Sequence, residues 1–241
     1  MITLATVETE FGPIHVFRKR STGAISYEQD GCCQSEADSR GVSLAAYIHA
    51  IYGLIQQAAG RKILLIGCGG GTLATLLIHG GYQVTVIDIN PASFSIARQY
   101  FALPEQVRCE VADGKAFLRE NVGIYDAIVI DAYQGARIPA HLRSLAFYSL
   151  VRDRLSLSGA IFVNVHLAHA FDRQVDRIAE CMSTIFANVR LLDSTQLLDR
   201  NAIVMGGHVA RTECPRMLVP PLVQQEAIAA ELAALKFRSW R

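Results

Sequence analysis

The rhythm of hydrophobic and polar positions changes along the chain. Over the first 30 or so residues the pattern is short and partly alternating: TLATVET (3–9), FGPIHVF (11–17) and AISYEQ (24–29), with turn residues between them. This predicts short antiparallel strands. Residues 43–58, SLAAYIHAIYGLIQQA, switch to helical spacing, with Leu44, Tyr47, Ile48, Ile51, Leu54 and Ile55 on one face and Ser43 placed as N-cap. Beyond them the pattern alternates. KILLIG, QVTVIDI, VRCEVAD, YDAIVIDA and AIFVNVH read as strands, and TLATLLIHG, PASFSIARQYF, AFLREN and HLRSLAFYSLVRDRL as the helices between them. A helix, FDRQVDRIAECMSTIF, then precedes two strands, NVRLLDS and NAIVMGGH, and the tail from 217 opens with a Pro-Pro turn and ends in a helix. Alternation of this kind predicts an α/β fold with a doubly wound, mostly parallel sheet covered by helices on both faces, preceded by a small antiparallel β-segment.

Composition narrows the function. Of 241 residues, 51% are hydrophobic and 19% charged, enough apolar material for a sizeable core. Lys and Arg number 23 against 22 Asp and Glu, a net charge of +1, so nothing in the charge favours nucleic acid or an anionic membrane as partner. No apolar stretch approaches the roughly 18–20 residues that span a bilayer, and MITLATVETEFG lacks the pattern of a signal peptide. A cytoplasmic protein is expected. The six cysteines form no C-x-x-C pair and have no histidine at zinc-ligand spacing. They read as reduced, mostly buried thiols. The seven histidines are scattered, and no metal is expected.

The candidate chemistry begins at KILLIGCGGGT. In a strand-turn-helix unit the turn after the first strand lies at the carboxyl edge of the sheet, where ligands bind. Gly67, Gly69 and Gly71 there leave the backbone open to a close approach. The second strand ends at Asp88, 17 residues after Gly71, where a carboxylate can accept from two ribose hydroxyls. The third ends at Asp113 and Gly114, where an aspartate can accept from an exocyclic amine such as that of adenine, or cap the next helix. Thr72 stands where the dinucleotide fingerprint G-x-G-x-x-G has its third glycine, which favours a Rossmann-like site of the S-adenosyl type over NAD. A soft boundary near residue 40 separates a small N-terminal β-domain (1–40) from a Rossmann-like nucleoside-binding domain (41–241).

These segments, GCGGGTLATLLIHGGYQVTVIDINPASFSIARQYF, VADGKAFL and YDAIVIDAYQG, together with YEQDGCCQSEAD, resemble the spermidine synthase superfamily over roughly residues 10–165. The resemblance implies a nucleoside co-substrate, S-adenosylmethionine or its decarboxylated form. It assigns Gln34 to nucleoside contact, Asp88 to the ribose and Asp113 to the adenine amine. It places Asp131 as the carboxylate that orients and deprotonates an attacking amine, with Tyr133 and Gln134 beside it on the substrate side. It implies a transferase of polyamine biosynthesis, acting on a small-molecule amine such as putrescine, and a homodimer. The departures fall on the amine side. Gln134 replaces a second aspartate, the Y-H-E segment after the glutamine is absent, and Gly69 or Gly70 replaces an acid in the glycine loop. Two other readings stay open: a methyltransferase of unknown acceptor, and a non-catalytic nucleoside-binding homologue. His141 and His166 near the sheet edge are candidate bases or local caps, Arg137 would welcome a carboxylate, and Phe147 and Tyr148 read as core.

Overall fold

A computed structural model describes residues 1–58, 60–169, 171–194 and 198–240. Strands β1 (Ile2–Val7), β2 (Ile14–Arg18), β3 (Ile25–Gln29) and β4 (Cys32–Ala37) form an antiparallel sheet in sequence order. The sequence hides β4, because CCQSEA is mostly polar. It is set by a two-residue hairpin at Asp30 and Gly31, both with positive φ, which matches the twist of the paired strands. The inner face of this sheet, including Ile14, Val16, Ile25, Tyr27 and Ala37, packs on Ile96 and Phe101.

The central sheet comprises β5 (Lys62–Ile66), β6 (Gln83–Asp88), β7 (Arg108–Val111), β8 (Tyr125–Ile130), β9 (Leu155–Leu167), β10 (Val189–Asp193), β11 (Arg200–Gly207) and β12 (Lys236–Arg238). Their spatial order is β12-β10-β11-β9-β8-β5-β6-β7. The run from β9 to β7 is parallel, and β11, β10 and β12 extend it by antiparallel pairing. Both faces of β5 are buried: Ile63 and Leu65 face one apolar cluster, Leu64 and Ile66 the other. That is the period-2 signature of a strand sandwiched between helix layers. Helices α1 (Ala46–Ile55), α2 (Thr72–His79) and α3 (Pro91–Tyr100) contribute to the first cluster; α4 (Gly114–Glu120), α5 (Leu145–Asp153) and α6 (Gln174–Ser183) contribute to the second. Phe147 and Tyr148 are fully buried there.

Four local expectations are corrected. Ser43 does not cap α1: its hydroxyl accepts from Ala45 N in the turn before the helix, which starts without a side-chain cap. Nor does α1 have one apolar face, since nine of its ten residues are buried. The C-terminal segment covers its outer side, and a Cβ on Gly53 would lie 3.0 Å from Pro215 Cβ. HLRSLAFYSLVRDRL is not one helix: a 3-10 turn at Ala140–Arg143 precedes α5, which restarts where Ser144 Oγ accepts from Phe147 N. The tail does not end in a helix. After α7 (Gln225–Ala234) the three residues of β12 pair with β10, and Arg238 donates to both Asp193 and Asp176 at 2.8 Å. The six thiols are free, but none is fully buried, and Cys33 and Cys214 are exposed. Among the described residues no helix is long and apolar enough to cross a membrane.

Candidate active site

The chain runs outward from β5 to β6 and β7, then returns to β8 on the other side of β5. This reversal opens a crevice at the carboxyl ends of the strands. The turns after β5, β6, β7 and β8 line a cavity of about 660 Å³ there, together with residues of β3 and β4. Gln34, Gly67, Gly69, Gly71, Asp88, Asp113, Gly114, Asp131, Tyr133 and Gln134, the ten residues assigned above to the co-substrate, the chemistry or the substrate side, all line this one cavity, as do His141 and His166, while Arg137 does not.

At one end the glycine loop is held against its neighbours. Gly67 has φ +103°, and a Cβ on it would lie 2.1 Å from the carbonyl oxygen of Asp131, so only glycine fits. Asp88 Oδ2 accepts from Cys68 N in the loop, and its Oδ1 accepts from Asn90 N, both at 2.8 Å. Asn90 itself caps α3 through Ala92 N. Burial raises the Asp88 carboxyl above its ordinary range, opposed by hydrogen bonds from Asn90 and Cys68 amides and the Ser93 hydroxyl. Asp113 Oδ1 caps α4, accepting from Lys115 N and Ala116 N, while Oδ2 lies 2.7 Å from His141 Nε2. These bonds outweigh its burial and hold the carboxyl below the usual range.

At the other end Asp131 sits at the tip of β8. Its Oδ1 accepts from Asn164 Nδ2 at 2.7 Å and its Oδ2 from the Tyr47 hydroxyl at 3.2 Å. Asn201 Nδ2 in turn donates to Asn164 Oδ1 at 2.9 Å. Burial raises the Asp131 carboxyl above the usual range, against the pull of those two donors. Burial, then the charge of Asp131, likewise pushes the Tyr47 phenol up. The Tyr133 hydroxyl donates to Asn164 O and accepts from His166 N, which fixes it on β9.

A protein-family model described as a methyltransferase domain matches residues 63–147, the part of the chain that builds the glycine loop and both strand-end acids. A probable polyamine aminopropyl transferase of Bifidobacterium longum is 28% identical over 131 residues, 53% of this chain and 29% of that protein. A polyamine aminopropyltransferase of Chromobacterium violaceum is 27% identical over 176 residues, 63% of this chain and 67% of that one. An N-terminal histidine N-methyltransferase of Emericella nidulans is 32% identical over 122 residues, 48% of this chain but 22% of that protein. The chain thus spans well under half the length of two of these relatives. The crystal structure of a probable spermidine synthase from Corynebacterium glutamicum superposes with a TM-score of 0.79 over 98% of this chain and 90% of that one, at 19% identity. The chain has the spermidine synthase-like methyltransferase fold.

Within this spermidine synthase-like fold, the residues that sequence reasoning missed are those that close the cavity from a distance. Ser35 Oγ accepts from Gly70 N at 2.9 Å and would lie 2.7 Å from a Cβ on Gly69. A Cβ on Gly70 would lie 2.7 Å from the Phe101 ring. A side chain at either position would require Ser35 or Phe101 to shift. Tyr47, Asn164 and Asn201 were visible only as polar residues within apolar runs. The two histidines have acidic partners: His141 lies on Asp113, and His166 Nε2 is 2.6 Å from Asp199 Oδ1. Gln134 lies in a tight turn, where its backbone N–H donates to Arg137 O at 2.9 Å. No group of three or more His, Cys, Asp or Glu among the described residues is arranged to hold a metal.

Proposed function

We propose that the chain is a transferase that binds decarboxylated S-adenosylmethionine and moves its aminopropyl group to a small amine such as putrescine. The observation that carries this reading is the charge of the cavity. Its described lining contains six carboxylates, Asp30, Glu36, Asp88, Asp113, Asp131 and Asp199, and no lysine or arginine. A cationic sulfonium nucleoside and a cationic amine suit such a surface, whereas the carboxylate of intact S-adenosylmethionine would meet no basic side chain there. In this reading Gln34, the glycine loop, Asp88 and Asp113 hold the nucleoside, and its sulfonium supplies the electrophilic carbon and the leaving group. Asp131 orients the acceptor nitrogen and takes its proton as the C–N bond forms and the C–S bond breaks, the sulfur keeping the electron pair as a neutral thioether. A carboxyl raised by burial is a stronger base than an exposed one, and Asn164 and Tyr47 keep it aimed.

Methyl transfer from intact S-adenosylmethionine is the second reading. The methyltransferase-domain match supports it, as does Gln134 in place of a second acid. Thermal shifts separate the two, because at equal concentration a ligand that binds the folded state more tightly raises the melting temperature more. The decarboxylated nucleoside should shift the melting temperature more than the intact one, with a further shift on adding putrescine. A larger shift with the intact form would favour methylation. No shift with either, or with methylthioadenosine, would remove both readings.

A further inference from the structure

A second cavity, of about 610 Å³, lies beside the first, and Ala136 and His166 line both. Its charge is opposite. Arg137, Arg143, Arg173 and Arg177 line it, with Asp172 as the only described carboxylate. Asp172 is in use at the start of α6, where its Oδ1 accepts from Gln174 N at 2.9 Å. Arg137, Arg143 and Arg177 make no side-chain hydrogen bond or ion pair among the described residues, and Arg143 Nε is buried without an acceptor. A buried donor left unpaired is costly and uncommon. Elsewhere the chain matches many of its arginines to acids, as with Arg40 and Asp38, Arg152 and Asp153, and Arg200 and Arg238 on Asp193. The imbalance is therefore local. The three unpaired groups come from separate pieces of chain: the turn after β8, the 3-10 turn before α5, and the first turn of α6. The amino end of α6 adds positive potential to the same space.

We propose that this arginine-lined cavity binds an anionic group, a phosphate or a carboxylate, beside the acceptor end of the nucleoside cavity. Guanidinium forks match the paired oxygens of either anion, and several around one hollow make a site rather than a diffuse surface charge. The anion has two sources: an acidic tail on the acceptor, reaching past Ala136 and His166, or a separate anion. The site stands independently of the nucleoside reading, because no residue assigned to that reading lines it.

Calorimetric titration of the full chain with inorganic phosphate at fixed ionic strength tests the proposal. Saturable 1:1 binding is expected, weakened at least tenfold in the R137Q/R177Q double variant, with the affinity for methylthioadenosine unchanged. Both residues are exposed, so the variant should keep the wild-type melting temperature. With methylthioadenosine saturating, phosphoethanolamine binding at least tenfold tighter than phosphate assigns the anion to the acceptor's tail; equal affinity assigns it to a separate anion. Phosphate heats that do not saturate, or equal affinity in wild type and R137Q/R177Q, would overturn the proposal. Loss of methylthioadenosine binding in the wild type would instead count against the nucleoside reading alone.

Discussion

The two ends of the cavity at the sheet edge are held largely by different kinds of bond. Around the glycine loop most donors are backbone amides, Cys68 and Asn90 onto Asp88 and Lys115 and Ala116 onto Asp113, with the Ser93 hydroxyl and His141 as the side-chain partners of the two acids. Around Asp131 they are side chains from α1 and β9, with Asn201 of β11 behind them. A backbone-built end depends on a few glycines and acids and tolerates change elsewhere. A side-chain-built end can be altered one substitution at a time. Asp88 and Asp113 stand where the pattern that the chain resembles has its strand-end acids, while the departures fall at both ends of the cavity: Gln134 near Asp131, and Gly69 or Gly70 in the glycine loop.

Variants at the two ends should therefore behave differently. Gly67→Ala should have the largest effect and strike both ends, since its Cβ would meet the Asp131 carbonyl at 2.1 Å with φ at +103°. A stability loss of at least about 2 kcal/mol is expected in urea denaturation; a wild-type midpoint would show that the loop and β8 are not in close contact.

Asp131→Asn should separate the ends. Turnover with the decarboxylated nucleoside and putrescine should fall by roughly 10² or more, while methylthioadenosine affinity is kept. Stability should move the other way. Burial raises the folded-state pKa of Asp131 above its unfolded value. The residue therefore supports folding at low pH, and that support is lost as pH rises through the folded pKa. The asparagine variant should melt higher than wild type at pH 8, with the gain shrinking toward pH 4. Full activity in the variant would remove Asp131 as base.

Asp113 tests the backbone-built end more gently. Alanine there should lose the α4 cap and about 1 kcal/mol of stability, while asparagine, an equally good cap, should lose little; thermal denaturation of the pair distinguishes capping from charge. The smallest effect is expected for Tyr47→Phe. It removes one of two donors that favour ionised Asp131, so the acidic limb of the pH–rate profile should shift upward, with a loss of about 1 kcal/mol or less. An unmoved limb would mean that the Tyr47 bond does not tune the carboxylate.

The same contrast explains what was legible in the sequence. Gly67, Asp88 and Asp113 are placed by strand-turn-helix units whose rules are local, so spacing alone brought them to one edge. Tyr47 meets Asp131 across 84 positions, Asn164 across 33, and Ser35 meets Gly70 across 35. No periodicity encodes such pairs, because they depend on how separate elements pack. The three-residue β12 and the polar β4 were missed for a related reason: pairing with a neighbouring strand, rather than their own apolar pattern, defines them.

Calorimetric titration of methylthioadenosine into wild type, Asp88→Ala and Asp131→Asn tests the nucleoside site most directly. One saturable site is expected in wild type, retained in Asp131→Asn, and weakened by about 1–3 kcal/mol in Asp88→Ala, where a charged acceptor for two hydroxyls is gone. No binding in wild type, or equal affinity in Asp88→Ala, would contradict the assignment of this cavity to a nucleoside.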